Sequence, residues 1–290
     1  MRRPLAPAEL YPAGVPGVFT RTIELATGVR VRLAESGPAD GAPVILLHGW
    51  GASLYMYRHA LAMLPAYGCR VIAMDLRGYG LSDRPHARGS YSLAAYVADL
   101  DALFDTLRIR RAALVGQSMG GGLALRYAQR RPGRVPRLVL INPTGLVPIP
   151  WVYVMRAIPP AAMRLLGHRA VPRWLIGFIL RRIAYGDPAR VTERDIDEYW
   201  SPTQIPGYAH AVRAAIAEFN WVPLAAEEAK EMAVPSVVIL GTQDRLVRNA
   251  RGAAERMTGA RVYGVVGGHC VHEEHPDRVY EIVGEFVQSS

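Results

Sequence analysis

A chain of 290 residues with half of them apolar can bury a full core, which excludes global disorder and fits one large α/β domain or a core carrying a smaller insertion. The formal charge of +9 raises the question of a polyanion partner, but the arginines stand singly or in pairs such as Arg110-Arg111, Arg130-Arg131 and Arg181-Arg182, so no nucleic acid is expected. Cys69 and Cys270 define neither a disulfide framework nor a zinc site, residues 1–17 lack the apolar stretch of a signal peptide, and prolines 143, 148 and 150 break the longest uncharged stretch, so a cytoplasmic protein is expected.

After a proline-rich arm over 1–17, two apolar runs, 23–25 and 29–33, flank Thr27-Gly28; the second alternates apolar with charged residues and predicts a hairpin. Short apolar runs at 44–47, 71–74 and 112–115 then end at His48-Gly49, Asp75 and Gly116, the punctuation of buried parallel strands. Leu93, Tyr96, Val97, Leu100, Phe104 and Leu107 form a helical stripe that starts after Ser92, a side chain suited to N-capping. Strands are predicted again at 138–141, 237–240 and 261–266, followed by a helix carrying Val279, Val283, Phe286 and Val287. Between 147 and 231 the prolines, tryptophans and helical patterns lack strand punctuation. The expectation is a mostly parallel eight-stranded α/β sheet flanked by helices. Its core spans 18–146 and 232–290, and a helical cap over 147–231 is inserted after the sixth strand.

Gly116-Gln117-Ser118-Met119-Gly120 lies between a predicted strand and a predicted helix, so Ser118 sits on a sharp turn that only small neighbours permit. A serine hydroxyl needs a base to take its proton and a carboxylate to fix that base. Asp244 follows the strand at 237–240, and His269 follows Gly267-Gly268 after the last strand, giving the chain order Ser, Asp, His. Among the other histidines, His59, His86, His168 and His210 fall in helix, loop or cap, whereas His272 and His275 compete with His269 by proximity. The paired glycines favour His269. The turn His48-Gly49-Trp50-Gly51 and the residue after the serine supply the expected oxyanion donors, the backbone N–H groups of Trp50 and Met119. The Trp50 side chain is placed to line the acyl pocket, while the His48 side chain is expected to pack beneath the sheet.

These motifs resemble the α/β-hydrolase superfamily over all but the first fifteen or so residues, in its lid-bearing branch with a serine nucleophile. The segment from Asp75 to Asp83 is similar to one that esterases, epoxide hydrolases, haloalkane dehalogenases and carbon–carbon hydrolases share. The resemblance implies a structural role for it, with no catalytic part for Asp75 or Asp83. It also implies no metal and no organic cofactor. Ser118, where epoxide hydrolases and dehalogenases carry aspartate, disfavours those two chemistries. Asn142, where some branches place the acid, leaves Asp244 as the better candidate.

The expected activity is that of a serine carboxylesterase acting on a small to medium apolar acyl ester. A carbon–carbon hydrolase or a cofactor-free perhydrolase would use the same triad, although a short oxyanion turn lowers the first. A slow-turnover receptor or accessory protein on the same fold is the alternative of another class. In the cap, Arg156, Arg164, Arg169, Arg173, Arg181 and Arg182 stand among aromatics with no acidic residue before Asp187. Peripheral membrane contact is an alternative to a cap whose apolar face covers the site, and the covering cap is favoured. The sequence does not specify an oligomeric state.

Overall fold

The computed structural model describes residues 2–157 and 171–289. The predicted hairpin forms as β1 (Val18–Glu24) and β2 (Arg30–Ser36), with Gly28 in the left-handed conformation at its turn. The apolar runs follow as β3 (Ala42–Leu47), β4 (Cys69–Met74), β5 (Ala113–Gln117), β6 (Leu138–Ile141), β7 (Ser236–Gly241) and β8 (Ala260–Val265). They join one eight-stranded sheet in the order β1-β2-β4-β3-β5-β6-β7-β8. The pairs β1–β2 and β2–β4 are antiparallel and the rest parallel. Both faces of the parallel strands are buried: Ile45, Leu47 and Leu114 enter one apolar cluster, and Val44, Leu46 and Val115 the other. That is why these strands read as continuous apolar runs instead of alternating ones.

Three helices precede β6: α1 (Arg58–Met63), α2 (Leu93–Thr106) and α3 (Met119–Arg130). Ser92 caps α2 by accepting the Ala95 N–H at 3.3 Å. Between β6 and β7 the described residues form helices and turns but no strand. The helices are α4 (Pro150–Ala157), α5 (Arg173–Ile179), α6 (Glu193–Trp200), α7 (Tyr208–Glu218) and α8 (Ala226–Lys230). They make up the inserted cap. The chain closes with α9 (Arg251–Ala254), α10 (Val271–Glu274) and α11 (Pro276–Gln288).

From β3 the chain crosses to β4 on one side and then returns to β5 on the other. The crevice outside the carboxyl ends of β3 and β5 is therefore the topological switch point, where open α/β sheets bind ligands. The turn His48-Gly49-Trp50 and Ser118 both emerge there.

Two findings go beyond the sequence patterns. The arm over 1–17 does not stand apart: the Leu5 N–H donates to Ser201 Oγ at 2.8 Å, the Tyr11 N–H donates to Glu198 at 2.8 Å, and Arg32 donates to the Tyr11 carbonyl. It straps the core to the cap. The arginines, for their part, are largely engaged. Arg173 pairs with Glu193 (2.8 Å) and Asp197 (2.6 Å), Arg181 pairs with Glu193 (2.8 Å), and Arg156 donates to carbonyls at the end of α7. Arg164, Arg169 and His168 lie outside the described residues. Arg70, Arg108, Arg110 and Arg111 line a surface cleft of about 560 Å³. That cleft lies by the amino-terminal ends of β3, β4 and β5, away from the switch point.

Candidate active site

β5 passes into α3 with only Ser118 between them, at φ 52° and ψ −118°. A non-glycine residue in that region costs about 1–3 kcal/mol, so the surroundings must impose it. The Ser118 N–H donates to the Ile141 carbonyl at 3.0 Å. Its own carbonyl accepts from the Gly122 N–H (2.9 Å), the Thr144 N–H (3.0 Å) and the Thr144 hydroxyl (3.2 Å). The flanking glycines permit close approach: a Cβ on Gly116 would lie 2.3 Å from the Gly120 oxygen, and one on Gly120 2.1 Å from the Leu47 oxygen. Thr144 carries no local pattern that would mark it as a clamp on this turn.

The turn after β3 closes on the serine, since a Cβ on Gly49 would stand 3.1 Å from the Ser118 Cβ. His48 is fully buried. Its Nδ1 donates to the Gly49 carbonyl at 2.8 Å and its Nε2 accepts the Leu76 N–H at 3.0 Å, the pattern of a neutral imidazole. Burial pushes its pKa down and favours the same form. Among the described residues, neither the Trp50 N–H nor the Met119 N–H donates to a protein acceptor. The Trp50 indole is pinned to the cap: it donates to the Val212 carbonyl of α7 at 3.0 Å and packs on Trp151, with ring centroids 5.4 Å apart. Tyr208 adds a 3.3 Å bond from its hydroxyl to the Gly51 carbonyl.

The structure brings His269 and Asp244 together, with Nδ1 and Oδ2 at 2.8 Å. The other carboxylate oxygen, Oδ1, accepts the Leu246 N–H (2.7 Å) and the Val247 N–H (3.1 Å), so the turn after β7 fixes the acid. The paired glycines before the histidine serve close packing: a Cβ on Gly268 would meet the Gly186 nitrogen at 2.5 Å, and one on Gly241 the Gly268 oxygen at 2.1 Å. Asn142 and Gln117 complete the setting. Asn142 Nδ2 donates to the carbonyls of Gly268 (3.1 Å) and His269 (3.0 Å), and its Oδ1 accepts the Gly241 N–H at 2.8 Å. Gln117 Nε2 also donates to the His269 carbonyl, at 3.0 Å. Ser118 and His269 thus share a neighbour, although no hydrogen bond joins the serine hydroxyl to a protein group among the described residues. Such bonds are often loose before substrate binds.

A family model described as alpha/beta hydrolase fold matches residues 42–276. The chain belongs to that family. It is 32% identical over 286 residues to the non-heme chloroperoxidase of Streptomyces lividans, covering 92% of this chain and 99% of that one. It is 32% identical over 280 residues to the 2-hydroxymuconate semialdehyde hydrolase of Pseudomonas sp. (strain CF600), covering 91% and 92%. Among solved structures, the enol-lactonase from Burkholderia xenovorans LB400 superposes with a TM-score of 0.74 at 26% identity, over 93% of this chain and 100% of the other.

In this α/β hydrolase the competing histidines lie elsewhere. His275 stands at the amino end of α11 and His272 is fully buried between the rings of Tyr57 and Tyr280, and neither is bonded to Asp244. Asp75 is structural, its carboxylate accepting the N–H groups of Leu54 (2.7 Å) and Leu81 (2.9 Å). Asp83 pairs with Arg30. Both cysteines are free and buried, and no metal-ligand cluster occurs among the described residues.

Two histidines, His272 buried and His59 half-buried, resist protonation in the folded chain. Burial pushes His272 far below its usual value of 6.5, and burial together with Arg58 takes His59 to about 4. As pH falls, the unfolded chain therefore takes up these protons first, so the contribution of these two histidines to stability is whole above about pH 6.5 and declines below it. Glu273, raised by burial, opposes the trend, which makes a comparison of variants the useful measurement. His272→Phe is expected to flatten the fall in Tm between pH 6.5 and 4. An unchanged slope would assign the acid sensitivity to other groups.

Proposed function

We propose that this α/β hydrolase is a serine hydrolase that cleaves a carboxylic ester of a small to medium apolar acyl group. Support comes from one arrangement: a strained serine at the switch point, two unpaired backbone N–H groups beside it, and an imidazole fixed by a buried carboxylate. Ser118 Oγ attacks the acyl carbon while His269 Nε2 takes its proton. The carbonyl oxygen gathers negative charge opposite the Trp50 and Met119 N–H groups. Collapse returns the proton to the departing alcohol and leaves the acyl group on Ser118. Water, deprotonated by His269, then releases the acid and restores the serine.

An ester is favoured over the other substrates of such a triad by the economy of the site. Acyl transfer needs only a nucleophile, a base and two donors, and the short turn from His48 to Gly51 supplies one of those donors without an extended glycine-rich loop. The apolar side of the substrate is assigned to the surface formed by Trp50, Trp151 and Val212, where α4 and α7 meet the oxyanion turn. Acid quenching within the first turnovers of p-nitrophenyl butyrate, followed by peptide mass analysis, is expected to find the butyryl group on Ser118. A burst without that adduct would move the nucleophile elsewhere. A single turnover with no steady state would favour a ligand-binding role.

A further inference from the structure

Glu274, the last residue of α10, is completely buried, and no cationic side chain pairs with its carboxylate among the described residues. Backbone N–H groups take that place. Oε1 accepts the Gly268 N–H at 2.6 Å, and Oε2 accepts the Gly186 and Asp187 N–H groups, each at 2.9 Å. Gly268 immediately precedes His269, whereas Gly186 and Asp187 belong to the cap, just beyond the π-helical turn Leu180–Ala184. One carboxylate therefore joins the histidine turn to the cap. We propose that Glu274 is a positioning residue that ties the register of His269 to the seat of the cap, an inference that rests on the reading of Ser118 and His269 given above.

The remaining bonds of the histidine turn show why this tie matters. The carbonyls of Gly268 and His269 are held by Asn142 and Gln117, which belong to the core. The N–H groups point the other way: Gly268 to Glu274, and Cys270 to the cap's Ala184 carbonyl at 3.0 Å. The peptide plane after His269 is thus held between core donors on its carbonyl and the cap acceptor of its N–H, and the plane before it is fixed by Asn142 through the Gly268 carbonyl. There is no slack at the crossing, because a Cβ on Gly268 would also lie 2.6 Å from the Ala184 oxygen. α10 itself has a separate anchor, the buried pair of Glu273 with Arg58, which also reaches Asp195 of α6 at 2.9 Å. Glu274 is consequently not needed to hold its own helix. Its carboxylate acts on the turn before it and on the cap.

Glu274→Gln keeps the volume but leaves one acceptor oxygen, and its amide N–H groups face other donors, so either Gly268 or the pair Gly186–Asp187 is released. A shift of His269 of about 1 Å is enough to slow acylation by roughly tenfold to a hundredfold. The measurement is the acylation rate with p-nitrophenyl butyrate, normalised to serines titrated with a fluorophosphonate, so that loss of folded protein does not count. We expect that drop in rate with KM changed less than about threefold, and a shifted His269 Nδ1 proton resonance. A wild-type rate per titrated site with an unshifted resonance would overturn the proposal. Native-state hydrogen exchange on the Ser118→Ala protein needs neither turnover nor a folded Glu274 variant. One shared opening free energy for the Gly186, Asp187 and Gly268 amides supports the tie, and separate openings overturn it. Failure of wild type to acylate at all would instead refute the esterase reading, and the exchange result would still decide the tie.

Discussion

Ser118→Ala is expected to lower kcat for an activated ester by about a millionfold, the scale seen when the nucleophile of a triad is removed. The fold should be unaffected, because every bond that holds the turn involves the backbone of residue 118: its N–H to Ile141, and its carbonyl to Gly122 and Thr144. Alanine accepts the same φ of 52° at a comparable cost, so the strain is neither added nor relieved. What survives is the pair of donors at Trp50 and Met119, which can still polarise a bound carbonyl and leave a residual rate about 10³–10⁴ above that in water. Short and long p-nitrophenyl esters with wild type and variant side by side form the assay. Full cleavage by the variant would remove Ser118 from the mechanism. The chain-length ratio of the wild type measures the reach of the acyl surface.

Asp244→Asn should cost roughly 10⁴-fold in kcat with little change in structure. The reason lies in how the two oxygens are divided. Oδ1 is committed to the Leu246 and Val247 N–H groups, so an asparagine will keep its carbonyl oxygen there and turn its NH₂ toward His269. Nδ1 must then act as acceptor, which places the imidazole proton on Nε2. In that tautomer the ring faces Ser118 with a proton and cannot take one. Kinetics at neutral pH beside thermal melting make the test: a nearly silent substitution would mean that another carboxylate orients His269, and a large loss of Tm would point to a structural role for Asp244.

Much of this was legible in the sequence, for identifiable reasons. Strands buried on both faces leave apolar runs, and turn residues end them, so β3 to β8 could be located to within a residue or two. β5 continues through Gly116 and Gln117 because its pairing with β6 extends to the edge of the Ser118 turn. Ser118, Asp244 and His269 stand at strand ends, where local pattern and chemistry coincide. The clamps around them do not. Thr144, Gln117, Asn142 and Glu274 act on residues brought near only by the sheet or the cap, as when Glu274 meets Gly186 across 88 positions. The arm shows the same limit. Its prolines read as a segment apart, and its pairing with Glu198 and Ser201 depends on contacts 187 and 196 residues away.

The crossing of Gly186 over Gly268 also bears on how such an enzyme could be rebuilt. Ser118, Asp244 and His269 all lie outside the stretch between β6 and β7, so a foreign cap could be grafted there without replacing any of them. It would not be free in sequence, however. At the point where it passes the histidine turn it must bring a residue without a side chain, since a Cβ on Gly186 would come within 2.8 Å of the Gly268 nitrogen. It must also present two adjacent amides to a carboxylate already waiting in the core. Exchange of the cap is therefore a problem of matching one seam, and a graft that ignores it would retain Ser118, Asp244 and His269 while displacing the imidazole.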